Sequence, residues 1–163
     1  MRPWTERNPE LAALFNPAFC GVILYISIVN YEKQDKRGMP LPLVFLLLPV
    51  LLAASIRRSL PDTARTTFHA WLDRKPHIKI SLAKRAANLS PITREALMFL
   101  MQRAHLSSSG DRVQKGKIIK GLPRYLAQTG ELGDLAEGAR ILGTMLGKVN
   151  DVATVFTSLG LTV

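Results

Sequence analysis

Apolar positions in this chain come in blocks, and helix punctuation separates the blocks. Asn16-Pro17 stands ahead of a run, residues 18–29, that is apolar on every side and ends in a polar turn at residues 32–37. Asn before Pro is an N-cap followed by a residue already shaped for the first helical turn. A buried helix to about Tyr31 is predicted, and Asn8-Pro9 repeats the device ahead of residues 10–15. Residues 42–54 form a second apolar helix, kinked or interrupted at Pro49, because proline removes a backbone donor and crowds the preceding turn.

Further along, residues 59–62 open a helix that carries Phe68, Trp71 and Leu72 and stops at Lys75-Pro76. Residues 78–88 read as a short basic helix with Ile80, Leu82 and Ala83 inward and Lys79, Lys84 and Arg85 outward. Ser90-Pro91 caps an amphipathic helix whose apolar face holds Leu97, Phe99, Leu100 and Met101. Residues 107–111 are a polar loop, and residues 112–119 a short strand or an extended arm. Residues 122–128 form a short helix. Asp134 caps a helix over residues 135–148, and Asn150-Asp151 a last one that Gly160 ends.

The fold class is therefore mainly α: a compact helical domain with two apolar core helices. Its C-terminal half is winged-helix-like, with a short β-ribbon. One domain over residues 1–163 is expected, apolar over 1–56 and basic over 57–163.

The two apolar runs also admit a membrane hairpin. A spanning helix needs about twenty apolar residues. The first run has twelve and the second, residues 39–54, has sixteen with three prolines. Packing inside a soluble, cytoplasmic protein fits better than insertion.

Charge changes the picture more than overall composition does. The net charge is +10, but residues 57–124 hold fifteen Lys and Arg against four Asp and Glu. Such a block attracts phosphate backbones, acidic protein faces or anionic lipid, or is a solvated face. The candidate nucleic-acid or partner contacts within it are Arg57, Arg58, Lys79, Lys84, Arg85, Arg112, Lys115, Lys117, Lys120 and Arg124. Ser107 to Gly110 followed by the cations from Arg112 to Lys120 reads either as a wing touching phosphates or as a flexible basic loop.

No residue set points to catalysis. The stretch from Gly110 to Lys117 lacks the spacing of a phosphate loop. His69, His77 and His105 have no helical metal spacing, and the single cysteine, Cys20, lies in an apolar run where a thiolate is disfavoured. No cofactor and no small-molecule substrate are expected.

A set of strings then carries a resemblance. These are Trp4 with Asn8-Pro9-Glu10-Leu11-Ala12; Leu14-Phe15-Asn16-Pro17-Ala18-Phe19-Cys20; Leu41-Pro42-Leu43-Val44-Phe45-Leu46-Leu47-Leu48-Pro49; and Ser90-Pro91-Ile92-Thr93-Arg94-Glu95-Ala96-Leu97. Ala139-Arg140-Ile141-Leu142-Gly143 and the tail Thr154 to Leu161 complete it. In this order they resemble the middle component of three-component ABC systems, bacterial conflict modules that include Lamassu-type anti-phage defence. The resemblance marks Asn16, Pro17, Phe19, Cys20, Thr93, Arg94, Glu95, Gly143 and Gly160 as structural motif positions. The chain departs from it at Thr144-Met145, where an aromatic is expected, and after Gly160, where Val-Arg-Pro is expected. It implies a non-enzymatic subunit that accompanies an SMC- or Rad50-like ATPase and an effector nuclease, with double-stranded DNA nearby. A stand-alone winged-helix regulator and a small membrane-hairpin protein are the competing readings.

Overall fold

The computed structural model describes residues 15–122, 127, 129–149 and 151–159. Helix α1, Pro17–Glu32, starts as its punctuation predicts: the Asn16 side chain accepts a hydrogen bond from the Ala18 amide at 2.8 Å, and Pro17 opens the helix. It is apolar all round because it is enclosed all round. One side meets helix α6, Glu131–Gly147, and another meets helix α5, Pro76–Gln102; it also touches helix α2, Leu41–Leu51. The buried polar groups on α1 are satisfied within the helix. Ser27 donates to the Ile23 carbonyl at 3.0 Å and Asn30 to that of Ile26 at 2.8 Å.

Helix α2 continues through Pro49, and the two apolar helices meet as expected. α1 has 16 residues and α2 has 11. Among the described residues no helix is long and apolar enough to cross a membrane.

The helix expected from residue 59 begins only at Phe68. Helix α3, Ala54–Arg57, precedes it, and α4, Phe68–Asp73, is capped by the Thr67 hydroxyl, which accepts from the Ala70 amide. The Ser59 carbonyl, which a helix would have used in its ladder, accepts the Trp71 indole N–H at 2.8 Å instead.

Two expected helices are one. α5 runs 27 residues with Pro91 inside it, and Pro76 opens α5 where a stop was expected to end the previous helix. Pro91 faces solvent, while Ile78, Leu82, Ile92, Ala96, Leu97 and Leu100 bury one continuous stripe. Each such large side chain contributes about 1.5–3 kcal/mol, so the stripe outweighs the roughly 3 kcal/mol of an interior proline. Ile80 is the other correction. It is 83% exposed, on the far side from Leu82, since positions two apart do not share a helix face.

The β-ribbon is real but starts earlier than expected. Strand β2, Leu106–Ser109, pairs antiparallel with β3, Arg112–Lys115, replacing the polar loop expected at 107–111. A third strand, β1, Met39–Pro40, lies on the other edge of β3 with Met39 opposite Val113. Gly38 feeds it at φ 94°, and a Cβ there would stand 2.7 Å from the Val113 carbonyl oxygen.

The sheet order is β1-β3-β2, and the chain order is α1, β1, α2, then α5, β2, β3. This is the connection order of a winged helix, with α3 and α4 inserted between its second and third helices. It occupies Pro17 to Lys115, not the C-terminal half. Helix α6 begins at Glu131, one turn before the expected Asp134 cap. Both carboxylates fall in its first turn, where the helix dipole favours them. Helix α7, Val152–Ser158, is capped by Asp151, which accepts from the Ala153 and Thr154 amides. The helix expected at 122–128 lies outside the described residues apart from Leu122 and Ala127.

Candidate interaction surface

The basic residues of the middle block do not form one face. Three are drawn into the structure. Arg57 is buried: its guanidinium donates to the Leu51 carbonyl at 2.7 Å and pairs with Glu131 across the fold. It ties α3 to the start of α6, which corrects its placement among the surface contacts. Arg112 is half-buried and donates to the Gly38 carbonyl at 2.7 Å and to Asp35 at 3.2 Å. Lys79 pairs with Asp73 at 2.8 Å. Arg58 is exposed at the rim of a cavity of about 300 Å³ that it shares with Asp62, Asp134 and Glu137. Arg124 lies outside the described residues.

Six further candidate cations fall into two groups. Lys84, Arg85 and Arg94 are exposed on α5, with Arg94 stacked 6.0 Å over the Phe45 ring. Lys115, Lys117 and Lys120 are exposed where the chain leaves the hairpin. No ion pair among the described residues engages Lys84, Arg85, Lys115, Lys117 or Lys120.

Arg103 stands with the second group. It lies 3.7 Å over the Phe99 ring at the end of α5. The next residue, Ala104, accepts the Lys117 amide at 2.7 Å, so the hairpin exit is pinned beside the helix end. Arg103 was missed as a contact residue; its one signal is the aromatic four residues earlier, over which a guanidinium stacks.

The hairpin is anchored from below. Glu32, buried on α1, accepts the Lys115 backbone amide at 2.5 Å, and the His105 ring nitrogen Nδ1 meets the Lys117 carbonyl at 3.0 Å. Asp35 holds Arg37 and Arg112 together, and the two guanidiniums keep its carboxyl down at about 2. The β1–β3 corner is thus fixed by charge while the lysine side chains point outward.

The motif positions of the resemblance are structural in their setting. Asn16 and Pro17 start α1, Phe19 is half-buried, and Cys20 is buried, its thiol pushed up to about 12 by loss of water. Thr93 is fully buried and donates to the Leu89 carbonyl at 3.1 Å; Arg94 is exposed and Glu95 half-buried beside it. Gly143 lies at the α1–α6 crossing. Gly160 is outside the described residues.

His69 Nδ1 lies 2.9 Å from Ser158 Oγ, but that hydroxyl donates to the Thr154 carbonyl, so it accepts from the imidazole. The pair fastens α7 to α4. Among the described residues no group of three His, Cys, Asp or Glu side chains is placed to hold a metal ion.

The family model for the ABC-three component (ABC-3C) system Middle Component 3 matches residues 4–163, and the chain belongs to that family. No curated protein matches the chain, and no solved structure does.

Proposed function

We propose, from membership of this family, that the chain is a non-enzymatic adaptor in a Lamassu-like bacterial defence complex. It joins an SMC- or Rad50-like ATPase to an effector nuclease and holds a basic surface towards double-stranded DNA. The observation that carries the DNA part is the cluster of exposed cations at the hairpin exit, Lys115, Lys117 and Lys120, beside Arg103. These side chains are free to meet phosphates, whereas Arg57 and Arg112 are committed within the fold. The absence of a phosphate-loop sequence and the inert setting of Cys20 support a role without turnover.

The winged-helix connection order favours one second reading, a stand-alone DNA-binding regulator. Co-expression with the other two components of its system tests both. The adaptor is expected to co-purify with them in a defined ratio and to add no ATP or phosphodiester hydrolysis of its own. A chain that stays apart from both components and alone binds a defined duplex site with high affinity overturns the adaptor in favour of the regulator.

A further inference from the structure

Helix α5 presents an exposed line to solvent along its whole length. Ile80, Lys84, Ala87, Pro91, Arg94 and Met98 follow one another at steps of four and three residues, the spacing of a coiled-coil seam. All six are exposed, while the opposite face of α5 is the buried stripe. Ile80 is 83% and Met98 60% exposed, among the few large apolar side chains so exposed in the described residues. Eighteen residues separate them, about 27 Å along the axis. Between them stand two cations and, at the centre, Ala87, small enough for a partner backbone to come near. Glu95 is the one carboxylate in the helix.

Two apolar anchors with cations between them call for a ligand of opposite pattern. A DNA groove answers the cations but not the anchors: apart from thymine methyls it presents donors, acceptors and phosphate, which leaves Ile80 and Met98 without an apolar partner. A helix with apolar residues at matching steps and Asp or Glu along its flanks covers both anchors and answers the cations.

We propose that the outer face of α5 is a docking seam for one amphipathic, acidic helix supplied by another component of the same system. This rests on the adaptor reading above and names the surface through which the adaptor is held. The hairpin-exit lysines are a separate surface.

The test uses the assembled complex. A photo-crosslinking side chain at position 80 or at position 98 is expected to join the same helix of one companion component. The two cross-links fall about 18 residues apart there, at apolar positions with acidic neighbours. Ile80→Glu with Met98→Glu, and separately Lys84→Glu with Arg94→Glu, should each weaken the association about tenfold or more. The thermal midpoint of the isolated chain should hold, because the apolar pair and Lys84 are exposed and unpaired. Arg94 also stacks on Phe45, so Lys84→Glu alone serves as the milder variant. If the wild-type chain assembles but these variants bind as well as it does, or the cross-links land on DNA or within the same chain, the seam is wrong and the adaptor stands. If the wild-type chain joins neither companion, the adaptor reading falls and the seam falls with it.

Discussion

Gly143 on α6 lies directly against the backbone of Ser27 on α1. A Cβ at Gly143 would overlap the Ser27 carbonyl oxygen and stand 2.8 Å from its carbonyl carbon. The crossing is closed by backbone meeting backbone, with Ala139 buried one turn before and Gly147 beside the Tyr31 carbonyl one turn after. Glycine is needed here for its missing side chain, since its backbone is ordinary helix.

Gly143→Ala is therefore expected to destabilise the chain. Alanine gains about 1 kcal/mol of helix propensity over glycine, but forcing the two helices apart costs typically 1–3 kcal/mol or more. A loss of about 1–2 kcal/mol in urea unfolding is the expected net. Gly138→Ala is the milder comparison, because the nearest atoms to its new Cβ are side-chain carbons of Arg57 at 3.1 Å and Leu51 at 3.3 Å and not backbone. An equal or larger loss at Gly138 would show that the close crossing is not what matters.

Arg57 and Arg58 are neighbours in sequence with opposite fates. The Arg57 side chain is 3% exposed and bonded to Leu51 and Glu131, while Arg58 is exposed. Arg57→Ala leaves the Leu51 carbonyl and Glu131 without this donor and opens space beside Gly138, for an expected loss of about 2–4 kcal/mol. Glu131→Gln should cost only about 1 kcal/mol, since Glu131 is 61% exposed and water replaces much of what it gives. Arg58→Ala should be close to neutral. Thermal unfolding of the three variants orders them, and an Arg58 effect as large as that of Arg57 would contradict the buried pair.

The fold was legible wherever a local device fixed it. Asn16 and Asp151 cap helices as their residue types require, and the all-round apolar character of residues 18–29 correctly marks a helix enclosed on every side. The errors came from competition between local signals and packing. Pro91 reads as a start, yet a continuous buried stripe carries α5 through it. Arg57 reads as surface charge, yet Glu131, 74 residues away, draws it inside. The third strand, Met39–Pro40, is too short to show a period and exists only because β3 lies beside it. For the surface, the excess of charge was visible, but not its division into the α5 face and the hairpin exit. That division depends on which residues are neighbours in space.

Cys20 makes the alkaline limit of stability readable. Burial pushes its thiol from 9.0 to about 12, so between those values the unfolded chain has lost a proton that the folded chain keeps. The native state binds more protons in that window, and stability must fall as pH rises through it. Tyr25 and Tyr31 are also raised by burial and add to the fall above pH 10. Cys20→Ser or Cys20→Ala should flatten the first part of this decline. The native thiol should resist iodoacetamide at pH 8.5 and react once the chain is unfolded in urea. Rapid alkylation of the native protein would contradict a buried, neutral thiol.

Asp35 sets the acid limit at the β1–β3 corner. Its carboxyl is lowered from 3.8 to about 2, first by the Arg37 hydrogen bond and with help from Arg112. A carboxylate with a depressed value gives stability that is fully present above the unfolded value and is lost as pH falls through the folded one. The stability difference between wild type and Asp35→Asn should thus be constant above about pH 5, narrow below pH 4 and close near pH 2. Denaturant unfolding at several pH values measures it. A difference that persists unchanged at pH 2 would mean that Asp35 acts through its shape and not through its charge.

The exposed lysines at the hairpin exit carry the DNA part of the proposal, and salt is the instrument that tests it. Each neutralised phosphate on duplex DNA contributes about −0.9 to the slope of log affinity against log salt. Lys117 and Lys120 are exposed, and no ion pair among the described residues engages either side chain. Reversing both to Glu should leave the thermal midpoint unchanged while weakening duplex binding by the assembled complex. The magnitude of the salt slope should fall by about two if both meet phosphates. Adding Lys115→Glu is a harsher change, because Glu32 already sits at the Lys115 amide and a second carboxylate beside it is repelled. A double reversal that leaves DNA affinity and slope as they were, yet releases the chain from a companion component, would reassign the hairpin exit to protein contact. An unchanged slope together with intact assembly would show it to be a solvated surface, leaving α5 as the functional face of the chain.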